Sequence, residues 1–255
     1  MFASALALAR GFTRPAVVSV RSNSGKVDSS LGAIVLVNEQ GWFVSAAHVL
    51  ANVVRPPSGV TNVSPWFGDD RFHLAELTSY GELDLAVGRL EGFDPSSVPM
   101  FPVFKDPDAA LEPGVSLCKL GFPFHEIRSA FDDRAGNFSF LPGSLPIPFF
   151  PIEGIYTRNV SFGPTKEAPH EALFLETSSP GLRGQSGGPV VDVFGVVWAI
   201  QSRTTHYPLG FSPSVTEGDR QITEHQFLHV GLGVHAAVIA ACLRHLGVAF
   251  ALSEG

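Results

Sequence analysis

Cysteine, charge and long apolar runs are all scarce in this sequence. Only two cysteines stand in 255 residues, Cys118 and Cys242, each among apolar neighbours. Both are expected as reduced core residues, which excludes a disulfide framework and favours a reducing compartment. Charged residues make up 16% of the chain, and the net charge is −7. That balance speaks against a nucleic-acid partner. No apolar run reaches the roughly 18 residues needed to cross a bilayer. No internal repeat or low-complexity tail is present. Acids are missing from Met1 to Lys26, where Arg10, Arg14, Arg21 and Lys26 fall. This stretch reads either as an organellar transit peptide or as a short helix (2–9) leading into a strand. The helix is preferred, because the alternating segment Val17 to Arg21 is needed as a first strand. The apolar part before Arg10 is too short for a secretory signal and lacks its basic start. The expected compartment is cytoplasmic, with organellar targeting left open.

What is abundant is turn-forming residue: 26 glycines and 20 prolines. Many turns and few charges point to β structure. Strands are expected at 16–22, 32–38, 41–45, 72–78 and 84–90, with a loop over 52–70. These make a first antiparallel barrel within 1–104. Residues 105–114 read as a linker. A second strand set follows at 115–121, 152–162, 171–178, 188–193, 195–203 and 226–233, giving a second barrel within 115–255. A helix-length amphipathic pattern appears only at 235–246, where Val238, Ala241, Cys242 and His245 share one face. The fold class is therefore all-β: two six-stranded antiparallel barrels and a C-terminal helix. Two stretches have no period. Residues 123–151 carry six phenylalanines (Phe124, Phe131, Phe138, Phe140, Phe149, Phe150), and 204–224 carries His206 and Tyr207. Apolar loops of this length pack on something. For 123–151 the choice is its own barrel or a gate beside the functional site.

Three segments carry chemistry. Gly184-Gln185-Ser186-Gly187-Gly188-Pro189 places a hydroxyl at a tight, glycine-permitted bend before an apolar strand. Such a hydroxyl needs a base and donors for an oxyanion. Ser45-Ala46-Ala47-His48 ends a strand in small residues that aim an imidazole into a cleft. Glu82-Leu83-Asp84-Leu85-Ala86-Val87 puts an acid where an apolar strand begins. Glu82, two residues away, is a substitute acid. Asp69-Asp70 and Asp132-Asp133 read as solvated loop charges. His225, His229 and His235 fit no metal-ligand spacing, so no metal and no cofactor are expected.

These motifs, in the order His, Asp, Ser, resemble the trypsin-like serine peptidases of the two-barrel chymotrypsin fold. The closest likeness is to the high-temperature-requirement (HtrA/Deg) branch, to which Leu120-Gly121-Phe122-Pro123-Phe124 is also similar. The likeness runs from about residue 16 to 246. It implies that Ser186 attacks a peptide carbonyl, that His48 relays its proton, and that Asp84 orients His48. It also implies an oxyanion hole made by the N–H groups of Gly184 and Ser186. The spacing from Asp84 to Ser186 is long for the branch, and 123–151 accounts for the excess. That segment is expected to order the oxyanion loop when a partner binds. The chain lacks the Ile-Val-Gly-Gly start of digestive trypsins, and the peptide-binding PDZ module common in the branch is not expected. The specificity pocket is expected between 179–183 and Gln201-Ser202-Arg203, with Pro180 at its base and Arg183 in its wall. With no acid at Pro180, cleavage after Lys or Arg is not implied. A small or medium apolar residue is favoured, while Arg203 leaves an acidic one open. The implied partner is a protein or peptide substrate. The alternative is an inactive protease-fold binding or chaperone-like module.

Overall fold

A computed structural model describes residues 2–110, 112–166, 171–218 and 220–254. Met1, Leu111 of the expected linker and Asp219 of the 204–224 stretch lie outside them. The chain opens with helix α1 (Ala3–Phe12), which runs past the expected end at Ala9 to Phe12. Ala5, Ala9 and Phe12 form its buried stripe, the spacing of one helix face. The Thr13 hydroxyl donates to the Ala9 carbonyl at 2.7 Å, and the chain passes directly into a strand.

The first sheet contains β1 (Thr13–Ser22), β2 (Val27–Leu36), β3 (Trp42–Ser45), β4 (Val60–Trp66), β5 (His73–Tyr80) and β6 (Leu85–Glu91). Its order is β4-β1-β2-β3-β6-β5. A short helix, α2 (Ala51–Val54), lies between β3 and β4. Strand β4 falls in the expected loop 52–70; it pairs antiparallel with the free edge of β1.

The second sheet takes β7 (Val103–Phe104), β8 (Ser116–Gly121), β11 (Phe150–Pro164), β12 (Glu171–Thr177), β13 (Pro189–Val191), β14 (Val197–Pro208), β17 (Phe227–His235) and β18 (Ala251–Leu252). Strand β13 bonds to both β8 and β14, so six of these eight strands form a hydrogen-bonded ring. Strand β7 lies within the span expected for the first barrel, yet it pairs parallel with β14 and β18 of the second. The two stretches without sequence period each hold a hairpin: β9 (Ser129–Asp132) with β10 (Asn137–Phe140), and β15 (Ser214–Glu217) with β16 (Arg220–Thr223).

One apolar core runs through both sheets, from Ile34 and Phe43 to Phe174 and Val234. Helix α3 (Ala236–His245) closes it with Val238, Ile239, Cys242 and Leu243. Cys118 and Cys242 are free, buried thiols, and burial raises the pKa of each to about 11. Among the described residues no helix is long and apolar enough to cross a membrane.

The cap of α3 is expected to make the fold acid-sensitive. His235 Nδ1 accepts the Ala237 N–H at 3.0 Å, so Nε2 carries the ring proton. Nε2 is buried and has no partner among the described residues. Burial pushes the His235 pKa down to about 4. An unfolded histidine protonates near pH 6.5, so between those values the unfolded chain binds the extra proton and stability falls as pH falls. We expect this ring to cost up to about 3 kcal/mol on acidification from pH 7 to 4, read by urea unfolding. His235→Asn keeps a capping acceptor and should flatten that slope; an unchanged slope would assign the loss to other groups.

Candidate active site

Each candidate side chain sits in a turn next to a strand. After β3 a single 3-10 turn, Ala47–Val49, carries His48. Asp84 closes the turn that begins at Gly81, its N–H bonded to the Gly81 carbonyl at 3.1 Å. Its φ is 51°, a left-handed value that aspartate tolerates better than most residues. Asp84 thus precedes β6 rather than starting it. Glu82 occupies the exposed part of the same turn and accepts the Lys166 N–H at 2.7 Å.

The Asp84 carboxylate is the hub. Oδ1 accepts the backbone N–H of His48 at 3.0 Å, and the His48 ring Nδ1 lies 3.0 and 2.9 Å from the two oxygens. Ser202, from β14, donates its hydroxyl to Oδ2 at 2.5 Å. Asp84 is only 7% exposed. Burial alone would raise its pKa, but the His48 hydrogen bond and charge, with the Ser202 hydroxyl, hold it below the ordinary carboxylate value.

The serine turn is built from glycine. The Gln185 N–H returns to the Leu182 carbonyl at 2.9 Å, with Gly184 in the third position at φ 96°. That is a type II turn, which needs glycine there. A Cβ on Gly184 would stand 2.6 Å from the Phe122 carbonyl oxygen. The N–H groups of Gly184 and Ser186 bond to nothing among the described residues. The Ser186 hydroxyl donates to the Ser202 carbonyl at 3.3 Å. Among the described residues no hydrogen bond joins Ser186 directly to His48; Ser202 links them, binding Ser186 through its carbonyl and Asp84 through its hydroxyl. Sequence reasoning placed Ser202 only in a pocket wall. Its contact with Asp84 spans 118 residues, and no local pattern announces it.

A cavity of about 260 Å³ opens beside Ser186. Arg183, Gln201, Ser202 and Arg203 line it, as do Gly181 and Leu182 of the expected 179–183 wall and Thr204, which the sequence did not single out; Pro180 does not. Thr204 Oγ1 donates to the Gly181 carbonyl at 2.8 Å and ties the two walls together. A larger cleft, about 810 Å³, lies between β2 and the 123–151 segment and reaches Arg183 and Gly184. The three histidines disperse. His225 meets Ser212, His229 meets His206, and His235 caps α3. Among the described residues no group of His, Cys, Asp and Glu could hold a metal.

The sequence profile of the trypsin-like peptidase domain matches residues 32–200. No curated protein matches the chain. Among solved structures, the active form of the Rv3671c protease from M. tuberculosis is 16% identical, with a TM-score of 0.54 over 98% of this chain and 87% of that one. The inactive form of that protease is 18% identical, with a TM-score of 0.50 over 97% and 94%. The HtrA-type protease AlgW, solved with a tripeptide, is 14% identical, with a TM-score of 0.55 over 96% and 63%. At such identities the likeness carries the fold.

The serine turn offers a direct check. Gly184→Ala forces a β-carbon into a carbonyl oxygen at a left-handed φ. It should cost about 2 kcal/mol or more in thermal or urea unfolding. An unchanged melting point would mean that the turn takes another conformation.

Proposed function

The chain belongs to the trypsin-like peptidase family, and on that premise we propose that it is a serine endopeptidase acting through Ser186, His48 and Asp84. The observation that carries the reading is the buried Asp84 carboxylate holding His48 Nδ1 from both oxygens. With Nδ1 held, Nε2 is the ring nitrogen left to take a proton. His48 is half-exposed, so a substrate can reach it. In this reading Ser186 Oγ leaves the Ser202 carbonyl and turns toward Nε2. Oγ then attacks the peptide carbonyl carbon as its proton passes to His48. The tetrahedral oxyanion takes the N–H groups of Gly184 and Ser186, each worth roughly 3–4 kcal/mol in other enzymes. His48 returns the proton to the leaving amine, and water repeats the sequence on the acyl-enzyme.

A second reading, a binding or chaperone-like module without catalysis, draws on the Ser186 hydroxyl being engaged by the Ser202 carbonyl. A fluorophosphonate probe separates the two. The peptidase reading expects stoichiometric labelling of the wild type and none of Ser186→Ala. A wild type that resists the probe supports the binding module. Asp84→Asn should leave the fold intact and lower kcat on a cleaved peptide by about four orders of magnitude, because the imidazole loses its tautomer. A loss below tenfold would remove Asp84 from the mechanism.

A further inference from the structure

The charges around the small cavity beside Ser186 run against those of the whole chain. The protein carries a net charge of −7, yet no Asp or Glu lines this cavity and two arginines do. Arg183 makes no side-chain hydrogen bond and no ion pair among the described residues; it is exposed at the turn that precedes Gly184. Arg203 lies over the Phe174 ring, its guanidinium carbon 4.8 Å from the centroid, and spends only Nε, on the Ser202 hydroxyl at 3.3 Å. Its two Nη groups, the fork that binds a carboxylate, have no partner among the described residues. The nearest acid in the site, Asp84, is already held by His48 and Ser202.

A third cation lies behind the wall. Lys119 is wholly buried, and its ammonium donates to Thr177 Oγ1 at 3.0 Å and to the Ser179 carbonyl, just before Pro180 and Gly181. A Cβ on Gly231 would come 2.9 Å from Nζ, and Gly231 pairs with Thr204 of the cavity wall. No carboxylate pairs with this lysine among the described residues, and burial pushes its pKa down to about 7. Buried lysines are nearly always paired, so the missing counter-charge is itself an observation.

We propose that this cavity takes the carboxylate of an aspartate or glutamate immediately before the scissile bond, read by Arg203 and Arg183 with Lys119 behind them. The inference rests on Ser186 being the nucleophile of the preceding section, and it replaces the apolar side chain that the absence of an acid at Pro180 favoured. One feature points the other way. Gln201 Oε1 is buried without a partner, and it suits an amide N–H better than a carboxylate. Two arginines in the wall, with a part-charged lysine behind them, against one orphan acceptor decide for the acid.

The experiment uses peptides that differ only in the residue before the cut: Glu, Gln or Leu. With the purified chain, kcat/KM for Glu should exceed that for Gln and Leu by roughly tenfold or more. The gap should close toward parity in Arg183→Gln/Arg203→Gln and narrow in Lys119→Met. Gln or Leu cleaved as well as Glu overturns the inference, and so does a double variant that keeps the full gap. Fluorophosphonate labelling of the wild type keeps the two readings apart: labelling without a preference for Glu sinks the acid pocket and leaves the peptidase standing. If the wild type neither labels nor cleaves, the same peptides are titrated against Ser186→Ala by fluorescence anisotropy. Tighter binding of Glu than of Gln then supports the acid-reading cavity, and equal Kd values overturn it.

Discussion

The arrangement of the site depends on one buried carboxylate. Asp84 gives up most of its hydration, which would ordinarily drive it toward its neutral form. It stays ionised because three donors converge on it: the His48 backbone N–H, the His48 ring and the Ser202 hydroxyl. Two of these come from the first sheet and one from the second. The carboxylate is therefore both the orienting group for His48 and a joint between the two strand systems. Removing any one donor leaves buried negative charge under-solvated, a cost of the order of 1–3 kcal/mol per hydrogen bond. The left-handed backbone of Asp84 belongs to the same arrangement, since strain at a single residue persists only where surrounding contacts over-determine it.

A second constraint is steric. Where the serine turn meets β2, backbone lies on backbone. The Ala33 N–H donates to the Ser186 carbonyl at 2.8 Å, and the Ala33 carbonyl accepts the Ser45 hydroxyl at 2.7 Å. A Cβ on Gly187 would sit 2.0 Å from that same carbonyl oxygen, and one on Gly32 would sit 2.7 Å from Val49. No side chain fits at either place. The glycines serve less to make the turn flexible than to let two sheets approach within hydrogen-bonding distance.

Legibility followed the range of the interaction. The segments bearing His48, Asp84 and Ser186 were readable because their chemistry needs particular residues at particular local spacing. Most strands were readable from alternation. Strand β4 was not: Pro65 and Asn62 argue for a loop, and only pairing with the edge of β1 makes the segment a strand. The two hairpins were hidden for a related reason. Every residue of β15 and β16 is exposed, so burial leaves no imprint on their sequence. Strand β7 has two residues, too few for any period, and its partners lie far along the chain. Ser202 belongs to this class too, since its place beside Asp84 is set by the docking of β14 rather than by its neighbours.

The 123–151 segment can be placed by the same logic. Its two ends are fixed on the serine turn. At the start, the Phe122 N–H donates to the Gly184 carbonyl at 2.9 Å, and a Cβ on Gly121 would meet the Gln185 backbone at 2.6 Å. At the end, the Phe150 carbonyl accepts Gln185 Nε2 at 3.4 Å. Between them the segment walls the larger cleft and packs Phe122 on Phe149 and Phe124 on Phe150, with ring centroids 5.6 and 5.3 Å apart. Phe124 stays 78% exposed even so. The loop is thus tied at both ends to residues that precede Ser186. Gly184, whose N–H is unengaged, belongs to that type II turn, so the segment is anchored on the backbone that carries this donor.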